Sequence, residues 1–525
     1  MCNKEKNTTN RRENRAEAAS KSSVRRPMTI LDWFGLSCLI LLAACSVILF
    51  LQLLGTEMLP KQLLLILVAV LAVINVLHAT VQLPRRKNKL SKLLVGILSL
   101  AVSGAMVYAI SAADSVQSAL INISGKLVEE EITYVIVRAD DEAADIGDAV
   151  GYTYGTLYRA DVKNTTALME AVKSGMGELD NISYDSVTDL VDALFAGDVD
   201  AIMLNEGYIT MVSRTDEYAD FSEKTRILYE FTTEREVETI APNPAITREP
   251  FVVYCSGIDA RDNDVTVNSL SDVNILAIVN PKSKQLLLIN TPRDYYVPLV
   301  SEPYTGMLDK LTHAGSLGID ESMRVLGQLY GVDATYYARI NFLGLVDIVD
   351  ALGGIDVVSP CDFTAQGMNI REGGYSDDYY FHFEEGLIHI DGYGALAFSR
   401  ERNSFDDGDE QRGKNQMAVI KGIVDKATSS QILSSYNDVL KAVEGCFTTN
   451  MPYEDISALV KMQLRDMSGW NITTYSVSGD GDMMPCATMG AYDLWVMWPD
   501  EDMVDAAKAM AQQVINGEVP TLPAE

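Results

Sequence analysis

Histidine is scarce in this 525-residue sequence: there are 4, and His313, His382 and His389 are the ones that follow residue 113. None belongs to an HExxH pair, and GxSxG and GxxxxGK[ST] are both absent, so zincin, serine-elbow and P-loop chemistries have no candidate residues. Of 7 cysteines, Cys2, Cys38 and Cys45 lie early and Cys255, Cys361, Cys446 and Cys486 late, without a CxxC or zinc-ligand spacing. Four cysteines allow three pairings; a Cys446–Cys486 bridge is the one expected. Basic residues are also few after residue 113, where 28 stand against 68 acids, a net of −40. Such a surface repels nucleic acid, which is not expected as a partner.

What the chain has in quantity, early on, is uninterrupted apolar sequence. Runs near Trp33–Leu54, Leu63–Leu83 and Leu93–Ala113 are each roughly 20 residues, which at about 1.5 Å per residue covers a hydrocarbon core of about 30 Å. Three membrane helices are expected. A cleaved leader fits less well, because the first run is long and is followed by further spans. Arg11, Arg12, Arg15, Lys21, Arg25 and Arg26 precede the first run, and Arg85, Arg86, Lys87, Lys89 and Lys92 separate the second from the third. By the positive-inside rule the amino terminus is cytoplasmic and everything past the third span lies outside.

The outer part reads as two α/β units. In residues 130–232, "ITYVIVRA" and "DVDAIMLN" have the composition of buried strands, while "NTTALMEAVKSG" and "DSVTDLVDALFAG" read as helices stopped by glycine. The order helix, glycine, strand resembles a half-domain of the periplasmic solute-binding proteins, here expected as an accessory domain. A proline-dotted linker, 233–250, leads to residues 251–520. There "FVVYCSGI", "VNILAIVN", "LLLINT", "YYARI" and "IDVVS" alternate with helical patterns such as "NFLGLVDIVDALGG", predicting a mixed sheet between helices, an α-β-α fold. Residues 1–29 complete the division as a basic tail, with 30–113 as the spans.

Polar residues gather where those strands end, the usual ligand position in open α/β sheets. Arginine's planar fork matches phosphate oxygens, and a nearby carboxylate can hold a hard cation. The stretch "LAFSRERNSFDDGDEQRGKNQ" concentrates such residues in an otherwise acidic exterior. Read alone it is a salt-bridged surface, worth about 0–1 kcal/mol per pair.

Together, "GIDAR", "SDVNIL", "TPRDYYV", "DKLTHAG", "INFLGLVDIVDALGGIDV", "IDGYGALAFSRER" and "GDEQRGKNQ" resemble, in order, the LytR-CpsA-Psr family of Gram-positive cell-envelope proteins, from about Phe251 to Ile423. The resemblance implies a membrane-anchored extracellular transferase that moves a glycopolymer, such as teichoic acid or capsular polysaccharide, from an undecaprenyl-pyrophosphate carrier to peptidoglycan. It implies Asp259 and Asp272 as ligands of magnesium, or manganese in its place. It also implies Arg293, Asp294, Arg400 and Arg402 as catalytic groups, with Arg261, Lys310, Arg412 and Gln416 joining Arg293, Arg400 and Arg402 around the pyrophosphate; Asp409 and His313 match further motif positions. Asp294 or Asp272 would accept the proton of the attacking sugar hydroxyl.

One position departs from the family's Arg-Ser-Asp: this chain reads "LSD", with Leu270 where an arginine is usual. Arg261 is one candidate substitute. The departure also leaves open a non-catalytic polyprenyl-phosphate-binding protein, and the same pocket leaves open a lipid-pyrophosphate hydrolase. "ESMRVLGQLYG" is expected either to line an isoprenoid groove or to pack a core. His382, His389 and the aromatics Tyr379 to Phe383 are expected to serve packing.

Overall fold

The computed structural model describes residues 28–82, 88–124, 128–236, 240–258, 265, 269–369, 374–429, 432–443 and 446–523. The chain divides into two compact units, Met1–Asp114 and Ser115–Glu525. In the first, helices Ile30–Gly55 and Lys61–Gln82 and the start of Lys89–Ser124 are each long and apolar enough to cross a membrane. Their contact is narrow and apolar, with Leu42, Cys45, Leu49, Leu71 and Met106 at its centre, while most other large side chains face outward. That inversion of the usual burial pattern suits a lipid solvent. Asp32 forms an ion pair with Lys92, and Asn75 Nδ2 donates to Ser46 Oγ at 3.0 Å.

The second unit holds two principal sheets. Strands Val128–Arg138, Thr153–Leu157, Asp180–Tyr184, Ala201–Asn205 and Thr225–Glu236 form the smaller, mixed sheet. Parallel pairing joins Thr153–Leu157 to both of its neighbours, and Val128–Arg138 runs antiparallel to its own. Helices Val162–Met176 and Val187–Ala196 follow the strands they cross between, each stopped by a glycine as read from sequence.

The larger sheet has six strands. Phe251–Ile258, Ser271–Asn280 and Gln285–Asn290 make an antiparallel meander at its centre. Tyr336–Asn341 and Asn471–Ser476 flank the meander in parallel, and Phe447–Thr449 closes one edge. Alternation assigns the two faces. Leu276, Ile278, Leu287 and Ile289 point to one core, covered by helices Leu311–Leu317, Ile319–Tyr330 and Glu501–Ile515. Ile275, Ala277, Leu286 and Leu288 point to the other, where Met417, Ile420 and Val424 of helix Asp409–Thr428 lie. All six residues of Gln285–Asn290 are buried, as a strand covered on both faces requires. The fold is α-β-α with a mixed sheet.

Three expectations about packing resolve here. Helix Ile319–Tyr330, which contains most of "ESMRVLGQLYG", packs Val325, Leu326 and Tyr330 into the core and does not line the cavity of about 630 Å³ beside the central strands. Phe383 packs with Phe363 and Phe398 in an aromatic cluster, whereas Tyr380 is exposed and His389 sits exposed on its strand with Nδ1 2.7 Å from Asp356. Cys446 and Cys486 are free rather than bridged. The reason is placement: the Cys446 Sγ–H donates to Ala442 O at 2.8 Å, whereas Cys486 is buried in the core shared with Leu311 and Ala314, beside Asp309.

The motif "DKLTHAG" explains how a helix reaches the centre of the larger sheet. Its Gly315 lies so near the start of Ser271–Asn280 that a Cβ there would meet Ser269 O at 2.6 Å and Ser271 N at 3.0 Å. Backbone atoms cannot rotate aside as a side-chain tip can. Gly315→Ala is expected to cost about 1–3 kcal/mol through overpacking, read as a lowered midpoint of chemical denaturation; an unchanged midpoint would refute the close-approach argument.

Candidate active site

A cavity of about 630 Å³ opens beside the central strands. One part of its wall carries Arg214, Asp272, Arg293, Arg400, Arg402 and Arg412. Elsewhere the wall is apolar, formed by Ile340, Leu345 and Ile348 on one side and Val419, Ile420 and Val424 on the other. The division follows from local structure. Helix Phe342–Ala351 and helix Asp409–Thr428 turn part of an apolar stripe toward the space between them, and the charged groups sit at element ends.

Asp272 reaches the cavity through a break in strand register. Gly257 pairs with Val273 and Ile258 with Ser271, so Asp272 faces no partner and its side chain is free to turn aside. Two arginines meet its carboxylate, with Arg293 Nη1 2.8 Å from Oδ1 and Arg214 Nη1 3.1 Å from Oδ2. Burial pushes the Asp272 carboxyl up, but the charges and hydrogen bonds of Arg293 and Arg214 outweigh it and hold the group below its usual range. Burial likewise favours loss of the Arg293 proton, and Asp272 with Asp294 more than reverses that. Both groups are therefore ionised at neutral pH.

Behind Arg293 stands a second layer. Asp294 Oδ2 lies 3.4 Å from Arg293 Nε, and Lys310 Nζ lies 3.0 Å from Asp294 Oδ1. Asp294 and Lys310 are outside the cavity lining; between them they orient Arg293. His313 is deeper still, with Nδ1 2.7 Å from Asp309 Oδ1, while Thr488 N and Oγ1 donate to Asp309 Oδ2 at 2.8 and 2.7 Å. These bonds clamp two loops together.

Arg400 ends helix Gly392–Arg400, and its guanidinium lies 4.7 Å above the Phe342 ring, an arrangement that fixes the fork's plane. Arg412 and Gln416 lie one turn apart on helix Asp409–Thr428, and Arg412 Nη2 is 3.0 Å from an Asp409 carboxylate oxygen. Burial lowers the Arg412 pKa, opposed by Asp409 and aided by the nearby like charges of Arg293 and Arg402. Cations crowded in this way need an anion to relieve them.

Of the residues expected from sequence, Asp272, Arg293, Arg400, Arg402, Arg412 and Gln416 come together on one wall. Asp294 and Lys310 support it, and Asp259 and Arg261 lie outside the described residues. Leu270 is 4% exposed in the core with Leu276 and Tyr254, so position 270 contributes packing. Sequence reasoning missed Arg214, which belongs to the smaller α/β part. Toward a metal, Asp272 offers a hard, ionised oxygen at the wall, and the Cys255 thiol that also lines the cavity is kept protonated by burial, its pKa pushed up to about 12; that donor set suits magnesium held by one or two carboxylates and substrate oxygens.

Residues 209–502 match the model of the LytR_cpsA_psr family. The polyisoprenyl-teichoic acid–peptidoglycan teichoic acid transferase TagU of Bacillus mycoides is 32% identical over 234 residues, 44% of this chain and 70% of the relative. Its counterpart from Enterococcus faecalis is 34% identical over 213 residues, covering 40% and 65%. Among solved structures, Bacillus subtilis TagV matches with 22% identity and a TM-score of 0.41, covering 51% of this chain and 98% of that one. TagT bound to LI-WTA matches with 22% identity and a TM-score of 0.39, covering 54% and 94%.

Asp272→Asn would leave two arginines facing a neutral amide, at a cost of about 1–3 kcal/mol near pH 7. Because the folded Asp272 carboxyl is depressed, that stabilisation is present above the unfolded carboxyl's pKa of about 4 and fades as pH falls through the folded value. Denaturation midpoints of wild type and variant should differ at pH 7 and converge in acid. A gap independent of pH would contradict the assignment.

Proposed function

The chain belongs to the LytR-CpsA-Psr family, and on that premise we propose that it is a membrane-anchored transferase acting outside the cell. It would move a glycopolymer from an undecaprenyl-pyrophosphate carrier to peptidoglycan. The observation that carries this reading is the two-part cavity: an arginine-lined head beside an apolar wall suits an amphiphile whose pyrophosphate and isoprenoid tail have opposite needs. Three helices able to cross a membrane suit a lipid-linked donor.

In the proposed reaction Arg293, Arg400, Arg402 and Arg412 hold the pyrophosphate oxygens, stabilising charge as it shifts toward the leaving phosphate. A sugar hydroxyl of peptidoglycan attacks the polymer-side phosphorus in line, forming the new P–O bond as the P–O bond to the lipid phosphate breaks. Asp272 and Glu401 are described carboxylates that line this space, and Asp272 is the candidate acceptor of the hydroxyl proton; Asp294, engaged by Arg293 and Lys310, orients instead. Asp272, with Asp259 by resemblance, would hold magnesium. When bound there, the ion supplies further charge neutralisation on the pyrophosphate.

The packing of Leu270 away from the cavity favours a second reading, a lipid-phosphate-binding protein without transfer. Full-length protein in detergent, given magnesium, lipid-linked glycan and peptidoglycan, separates the two. Wild type should yield a glycan–peptidoglycan adduct, and Arg400→Ala and Arg402→Ala should each lower its rate about 10²-fold. Binding without adduct would favour the second reading, and release of free glycan phosphate would identify a hydrolase. Ile420→Trp, which narrows the apolar wall, should raise KM for long-chain donors while sparing short-chain ones; an equal effect on both would place the tail elsewhere.

A further inference from the structure

We propose that Arg214, supplied by the smaller α/β part, is a phosphate-positioning residue of the active site and takes over the role of the arginine absent at position 270. The inference rests on the transferase reading above and deepens it: the accessory part completes the site.

The sequence context of Arg214 is unusual. It is the single base among residues 174–223, against twelve acids. A lone cation in so acidic a stretch could be spent on any neighbouring carboxylate. Instead it crosses to the larger sheet and meets Asp272 at 3.1 Å, lining the same cavity as Arg293, Arg400 and Arg402. Each oxygen of the Asp272 carboxylate thus faces its own arginine, one from each part of the fold. About a third of the Arg214 side chain remains accessible, so the guanidinium is not sealed behind its partner.

Arg214 is also held where it is. It is the C-cap of helix Glu206–Ser213, whose Tyr208, Met211 and Val212 are buried. Those residues belong to one continuous core with Tyr296, Leu299 and Leu311 of the larger part. Polar contacts add to the joint: Thr188 Oγ1 donates to Met489 O at 2.8 Å, and the Tyr218 and Tyr492 rings meet edge-on at 6.3 Å. A shared apolar core is a firmer union than the polar interfaces that let domains swing. The accessory part therefore presents a fixed cation.

The charge logic is specific to this chain. Leucine at 270 joins the core with Leu276, so without Arg214 the described ion pairs of Asp272 would reduce to the one with Arg293. A phosphate oxygen lying near the Asp272 carboxylate needs a positive neighbour. Arg214 answers that need from outside the motif.

Full-length protein in detergent should be titrated calorimetrically with geranylgeranyl pyrophosphate and magnesium for wild type, Arg214→Ala, Arg214→Lys and Arg159→Ala. Arg159 is an exposed base of the same part and controls for net charge. Arg214→Ala is expected to weaken binding about tenfold or more, with a lowered melting temperature because Asp272 loses an ion-pair partner. Millimolar guanidinium should restore part of the affinity, and Arg214→Lys should fall between. If Arg214→Ala binds like Arg159→Ala, or loses affinity without guanidinium rescue, the proposal is overturned. If wild type itself fails to bind, the transferase reading falls and this inference with it; wild-type binding combined with an unaffected Arg214→Ala overturns the inference alone.

Discussion

The Asp272 carboxylate, bridged by Arg293 and Arg214, is the interaction on which the rest of the site depends. It sits at a register break, so its position requires Gly257 and Ile258 to pair around it. It neutralises part of a crowd of cations that would otherwise repel one another. It also ties a group from the smaller sheet's part to the end of a strand in the larger sheet, so that packing far from the cavity bears on charge within it. Remove that carboxylate and two buried or half-buried guanidiniums lose their common partner, a loss costlier than an exposed salt bridge would suggest.

Support for this centre comes in layers. Lys310 and Asp294 brace Arg293 from behind, and the Asp309–His313–Thr488 cluster clamps the loops beneath. Phe342 fixes Arg400 from the side. Each layer restricts a long, flexible side chain before any ligand arrives. Preorganisation of that kind is what phosphoryl transfer demands of a protein, since positioning and charge stabilisation do most of the work.

Much of this architecture was legible in the sequence. The strands "FVVYCSGI" and "YYARI" and the helix after "YYARI" appear where period and composition put them, because buried strands and glycine-stopped helices leave strong local signals. The convergence of Arg293, Arg400, Arg402 and Arg412 was legible through ordered motifs. Other features were not. Arg214 lies in a segment with no motif, and its partner is 58 residues away; local pattern holds no information on that pairing. The separate layers of Asp272 and Asp294 were also invisible, since only the register break turns one to the cavity and leaves the other behind Arg293. A bridge between Cys446 and Cys486 was plausible by count alone, and the fold buries the two in different surroundings.

The central claim is that the arginine wall and the apolar wall bind one amphiphile, head to head and tail to tail. Diffraction from crystals of the full chain grown with a polyprenyl pyrophosphate and magnesium tests it most directly. The pyrophosphate should lie among Arg293, Arg400, Arg402 and Arg412, with the isoprenoid running between Ile348 and Val424. A head group bound away from those arginines, or a tail lying outside the cavity, would contradict it.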